Sequence, residues 1–136
     1  MVEALRIEHI AVKKDRMVID VAVASERCAY TTPALIGRLL PFYPHLLEHA
    51  CVNQRGATFG AVAQHTSLPH LLEHMVIEEQ AKLEDESSQP VLYTGKSYWT
   101  NEAQGKARVE VRYADDLIAL RALRVASERL NAAVVQ

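Results

Sequence analysis

His70, Glu73 and His74 stand within the stretch "LPHLLEHMVIEEQ", Leu68 to Gln80. Two imidazoles and a carboxylate are groups that can bind a divalent metal and move a proton beside it. On a helix, residues four apart share a face, so His70 and His74 can both turn to one ion. Glu73 lies one turn from His70 and can hold a water against that ion. The metal lowers the water's pKa towards neutrality, and the glutamate takes its proton. Zinc is the expected ion. Glu78 follows His74 by one turn, but His70, His74 and Glu78 together span about 12 Å along a helix axis. A straight helix cannot aim all three at one ion, so Glu78 is read as a group that supports the ligands or touches substrate.

The order H-x-x-E-H is that of the inverted zincins. The same five letters occur earlier, in "YPHLLEHACVN". There Pro44 precedes His45, Cys51 and Asn53 follow at once, and the chain enters a loop. This first copy is read as a source of separate groups. A catalytic zinc takes three protein ligands. His49, Glu48 and Cys51 are the nearest candidates in sequence for the third. A lone cysteine such as Cys51 is otherwise a small buried residue.

The elements that must position these groups follow from periodicity. At about 100° per residue, Leu68, Leu71, Leu72, Met75, Val76 and Leu83 fall on one arc of a helix, with His70 and His74 on the far side. The histidines are then expected to line an exposed cleft while the leucines face a core. The same pattern is what an amphipathic helix shows with its polar letters outside, without any metal. Ser67 caps this helix, Pro69 lies in its first turn, and it runs to about Lys82.

Upstream, "ALRIEHIAVKKDRMVIDVAVA" alternates as a β-hairpin. "TTPALIGRLL" starts a helix with Thr32 as N-cap, ended by Pro41 and Pro44. "CVNQRGATFG" reads as a loop by composition. Downstream, "LEDESSQP" is a polar loop, and "VLYTGKSYWT" and "KARVEVRYA" are two strands joined across "NEAQG". Ala114 to about Val134 is a long helix, with Leu120, Leu123, Leu130 and Val134 facing the core and Arg121, Arg124 and Glu128 facing solvent. The order ββ-helices-ββ-helix predicts an α+β fold, a mostly antiparallel sheet packed with helices.

Composition sets the outer bounds. The chain has 136 residues, enough for one domain over 1–136 with a real core. It is 49% hydrophobic and 24% charged, as globular proteins are. A net charge of -2 gives no reason to expect nucleic acid or an anionic membrane as partner. Apolar runs are too short to span a bilayer, and the N-terminus lacks a basic-then-apolar signal pattern. Two cysteines do not make a disulfide framework, so a cytoplasmic location is expected.

Longer stretches carry a family resemblance. "LPFYPHLLEHAC", a loop with Gly56, Phe59 and Gly60, and then "TSLPHLLEHMVIEEQ" resemble the N-terminal domain of cyanophycin synthetases. That domain reads like L-P-G-L-x-E-H-x-C, a glycine-containing loop with a phenylalanine, then G-T-W-L-G-H-V-x-E-H-V-A-L-E-L-Q. The matching positions here are Glu48, His49, Cys51, Phe59, Thr66, His70, Glu73, His74, Glu78 and Gln80. "GKSYWT", followed by "ARVEVRYADDLIALRALRVASERLNAAV", resembles the family's G-R-T-R-x-T, strand, acidic turn and long helix. The resemblance covers roughly residues 35–134. The pitrilysin-like metallopeptidases share "HLLEHM", but their further glutamate ligand lies farther past the motif than this chain extends.

Cyanophycin synthetases build a polymer with an aspartate backbone and arginine branches, using an ATP-grasp and a Mur-ligase-like domain. Neither ligase domain is expected in this chain. The resemblance implies a domain that holds polymer, with a histidine motif that in some members looks like a metallopeptidase centre. In the family's arginine positions stand Lys96 and Tyr98, and Lys96 is the implied substrate contact. Two functions follow as expectations. One is a zinc-dependent hydrolase of amide bonds acting on cyanophycin-like or related peptides, with Glu73 as base, His70 and His74 as ligands, and His49, Glu48 or Cys51 completing the site. The other is a non-catalytic polymer-binding or scaffold module. A peptide or polymer is the expected partner, and a homo-oligomer is compatible with either reading.

Overall fold

The computed structural model describes residues 3–83 and 94–134. β1 (Leu5–Val12) and β2 (Arg16–Val23) form the expected hairpin. β5 (Gly95–Asn101) and β6 (Lys106–Arg112) pair antiparallel, and β6 pairs with β2, so the four-stranded sheet has the order β1-β2-β6-β5. Alternation decides its faces. Met17, Ile19, Val21 and Val23 of β2 and Ala107, Val109 and Val111 of β6 are buried on one side. The other side carries cross-strand ion pairs such as Arg16–Glu110 at 3.0 Å and Arg108–Asp20 at 2.8 Å. The turn from β5 to β6 ends at Gly105, whose φ of 69° lies in the left-handed region that favours glycine.

Helices cover the apolar face. Thr32 caps α1 (Pro33–Leu39) by accepting a hydrogen bond from the Leu35 amide at 3.2 Å. α3 (Asp116–Val134) packs on α2 (Leu68–Leu83). Its buried stripe is Ala119, Ala122, Leu123, Ala126, Leu130 and Ala133, with Leu120 and Val134 at the margin. The four residues expected to face the core do so, and four alanines widen the stripe. Arg121, Arg124 and Glu128 are exposed as expected. No helix among the described residues is long and apolar enough to cross a membrane.

The segment read as a loop, 51–60, is instead structured. β3 (Ala50–Asn53) and β4 (Gly56–Thr58) pair antiparallel around a two-residue turn, and a short 3-10 turn follows at Phe59–Ala61. The exposed β4 lacks the in-out alternation that marks a half-buried strand, which is why composition alone read it as loop. Most of the polar loop read at "LEDESSQP", together with Val91–Tyr93, lies outside the described residues.

α2 is the central helix, and it is buried nearly all round rather than amphipathic. Beside its leucines, Glu73, His74, Glu78, Glu79 and Gln80 are buried. The helix is held between α3 on one side and β5 and β6 on another, while the 46–61 segment closes over its N-terminal half. Each buried polar group needs a partner. Glu79 accepts from Tyr43 at 2.9 Å and Arg129 at 3.3 Å, and the Gln80 amide donates to the Arg112 carbonyl at 3.1 Å. The helix start is pinned by Ser67, which accepts from the His70 amide at 3.1 Å, and by the Leu68 amide donating to the Ala29 carbonyl at 2.8 Å.

Candidate functional site

The expectation of an exposed histidine face is corrected by this packing. His74 is 2% exposed, and His70 is half-buried. Phe59 lies flat on the His74 ring, with centroids 4.4 Å apart and planes 30° apart, and meets His70 edge-on at 5.0 Å. Together with the β3 strand, it turns what the helix alone would leave in solvent into the floor of a cavity.

Cys51 of β3 reaches this floor. Its sulfur lies 3.4 Å from His70 Nε2, and one ligand atom each from Cys51, His70 and His74 lie within 4.8 Å of one another. A tetrahedral zinc with bonds of about 2.0–2.3 Å spaces its ligands roughly 3.3–3.8 Å apart, so the cluster is near a ligating geometry. The His70 ring is fixed on its other side by Thr66, whose hydroxyl lies 2.8 Å from Nδ1. Thr66 is itself tied to Thr31, accepting from its amide at 2.8 Å and donating its own amide to the Thr31 hydroxyl at 2.9 Å.

The residues expected to complete the site divide. Cys51 joins the two histidines. His49 meets His74 at Nδ1, 3.1 Å away, and takes Glu78 Oε1 at 2.9 Å with its Nε2. Glu78 thus holds the His49 ring from behind. Glu48 is directed to solvent and lies 3.7 Å from His45, with both side chains about three-quarters exposed at 76% and 75%. Lys96 borders the cavity, but its exposed Nζ lies 3.8 Å from Glu110 on the sheet face turned away from α2, so the side chain expected to touch substrate is not directed into the cavity. Tyr98 donates to the same carboxylate at 2.9 Å.

Glu73 is buried on the β5 side of the helix, with Oε2 3.7 Å from His74 Nε2. That separation is too long for a hydrogen bond. Burial pushes the Glu73 carboxyl up to about 7, opposed by a hydrogen bond from Ser97. Burial also pushes His74 down to about 3, aided by the neighbouring His70 and His49. His70 is lowered by burial as well. Glu73 and His74 therefore do not form an ion pair near neutrality. His70 and His74 are held as neutral imidazoles, the form that ligates metals.

The cavity above this floor measures about 880 Å³. One wall is β5, including Ser97 and Trp99. The other carries Tyr30 and His65, whose rings stack at 5.2 Å. Sequence reasoning did not single out Ser97, Trp99, Tyr30 or His65 as site residues. For Ser97 and Trp99 a signal existed, because alternation along β5 places them on the face turned towards α2.

An α+β fold that sets a cysteine and two histidines beside a buried carboxylate, at the floor of a cavity, has the donors of a metal centre. The model of the cyanophycin synthase-like N-terminal domain matches residues 16–135, and the chain belongs to that family. No curated protein matches the chain, and neither does any solved structure.

Proposed function

We propose that the chain is a zinc-dependent hydrolase of amide bonds, acting on cyanophycin-like or related peptides. One observation carries the reading. His74 Nε2 is fully buried and has no hydrogen-bond partner among the described residues, in a ring that also stands in the cluster with Cys51 and His70. An orphaned buried nitrogen costs about 1–3 kcal/mol. A metal ligated by His74 removes that cost.

In this reading Cys51, His70 and His74 hold the ion, a set of one thiolate and two imidazoles that suits zinc. Zinc in such a place polarises a carbonyl and acidifies a water. The chain's own residues do the rest. Glu73, with its carboxyl poised near neutrality, takes the proton of the attacking water. Water oxygen bonds to the amide carbon, the C–N bond breaks, and Glu73 returns the proton to the departing amine. Ser97 holds the carboxylate by its hydrogen bond. A reducing cytoplasm suits the site, because Cys51 binds metal only as a thiolate.

The test is metal analysis followed by an assay. Purified protein should take up about one equivalent of zinc per chain, and zinc-loaded protein should cut aspartate–arginine polymer or a related peptide. Zinc uptake without cleavage of any such substrate removes the hydrolase reading. No uptake removes the metal centre altogether.

A further inference from the structure

Glu78 and His49 do more than fill space behind the cluster. A carboxylate oxygen only accepts, so the 2.9 Å contact between Glu78 Oε1 and His49 Nε2 places a proton on that nitrogen. Glu78 Oε2 accepts from the His45 backbone amide at 3.2 Å, which fixes the carboxylate. His49 Nδ1 and His74 Nδ1 then face each other at 3.1 Å, and one proton must lie between them. If His49 supplied it, His49 would be an imidazolium in a wall where ring centroids are only 5.3 Å (His49–His74) and 5.0 Å (His70–His74) apart. The His74 proton would then sit on Nε2, a buried atom with no acceptor in hydrogen-bond reach among the described residues.

We infer that Glu78 and His49 are positioning residues that hold His74 with its proton on Nδ1 and a bare lone pair on Nε2, the nitrogen left open to an ion held with Cys51 and His70. The chain of contacts runs from carboxylate to imidazole to imidazole, and each link leaves the next ring one choice. Thr66 cannot do the same for His70, because a hydroxyl donates or accepts equally well. The tautomer follows from this chain's own hydrogen bonds. Its use, a ligand atom ready before any ion arrives, rests on the metal-centre reading above. Outer partners of metal-binding histidines set ring orientation and affinity in this way.

Long-range proton–nitrogen correlation spectra of the ¹⁵N-labelled, metal-free protein at neutral pH read the tautomer directly. His74 should show a protonated Nδ1 and an unprotonated Nε2. His49→Phe removes the acceptor and should lose that tautomer bias, with zinc affinity falling roughly 10–100-fold. His49→Asn, whose side-chain oxygen can stand near the place of Nδ1 as an acceptor, should restore most of both. Glu78→Gln should give mixed tautomers, since His49 and the His45 amide meet different carboxylate oxygens and glutamine offers only one. A wild-type His74 protonated on Nε2 overturns the inference. So does a folded His49→Phe with unchanged tautomer and affinity. If His49→Phe does not fold, the wild-type and Glu78→Gln spectra decide. The stated tautomer with no zinc uptake overturns the metal reading alone, and tight zinc with the other tautomer overturns this inference alone.

Discussion

The two HLLEH copies, 45–49 and 70–74, have one sequence and two fates. The second lies in α2, where Ser67 caps the helix and Pro69 sits in its first turn. The first follows Pro44 and makes only a 3-10 turn at Leu46–Glu48 before β3 begins. Glu73 and His74 have side chains 5% and 3% exposed, whereas His45 and Glu48 are 75% and 76% exposed. Of the three polar letters of the first copy only His49 turns inward, and it meets the last letter of the second, His74. Identical side chains become a candidate catalytic pair in one place and a surface pair in the other. The difference lies in what the neighbouring segments cover.

The sharpest break between the copies is expected in activity. Glu73→Gln should keep metal and lose cleavage by several hundredfold or more, within the ~10²–10⁴ typical of a positioned base. Glu48→Gln, the same change at the matching letter of the first copy, should leave the rate unchanged. Equal effects of the two would mean that Glu73 is not the base. For metal, the His70→Ala, His74→Ala double variant should lose its equivalent of zinc while staying folded, as read by elemental analysis and circular dichroism. His45→Ala should retain full zinc, and a loss there would show that the exposed copy also ligates.

Acid should separate the copies next. His74 has a folded pKa well below its unfolded one, so its contribution to stability is full above pH 6.5 and is lost as pH falls towards about 3. Denaturant melts of metal-free protein should show this loss, a few kcal/mol at most. His74→Leu should flatten it, and His45→Leu should not. Glu73 acts with the opposite sense: its raised pKa means stability is full below 4.5 and is lost as pH rises through about 7. Glu73→Gln should therefore gain relative stability towards pH 8. A curve for His74→Leu that still falls like wild type would place the acid sensitivity elsewhere.

Smaller effects test the docking of the first copy. A Cβ on Gly60 would come within 2.7 Å of the Leu47 carbonyl oxygen, so Gly60→Ala must push the first copy away from the cluster. A loss of about 1–3 kcal/mol in thermal stability is expected, as for other overpacked sites. His45→Ala should change stability by no more than about 0.5 kcal/mol. If Gly60→Ala were as harmless as His45→Ala, the contact between the 3-10 turns would not hold the first copy in place.

Much of the framework was legible because it depends on local periodicity. The β1–β2 and β5–β6 hairpins, the caps at Thr32 and Ser67, and α3 follow from alternation and from residues that cap or break helices. The H-x-x-E-H spacing made Glu73, His70 and His74 visible, and the E-H-x-C stretch placed His49 and Cys51 among the candidates. The exposed histidine face was misread. A helical wheel counts only the helix's own residues, and it assigned one face to core and the other to solvent. α2 is covered on several sides, so its polar residues are buried as well, each requiring a partner from a distant segment: Tyr43 and Arg129 for Glu79, the Arg112 carbonyl for Gln80. The β3–β4 hairpin was missed because its exposed strand has no apolar alternation to display.

The sequence alone determined which groups could do chemistry and that His70 and His74 share a helical face, since a helix fixes the angle between residues four apart. It left open which of His49, Glu48 and Cys51 would join them, because three residues spaced within a turn of irregular chain can point anywhere. Tertiary structure decided that. The β3 strand directs Cys51 inward to His70, Glu78 draws the His49 ring to its side, and Glu48 is left in water. Burial, also a property of the assembled fold, moved Glu73 and His74 towards their neutral forms. Spacing along the chain carries no information about how much water surrounds a group. The removal of that water is what shifts Glu73 and His74 away from their ordinary protonation behaviour.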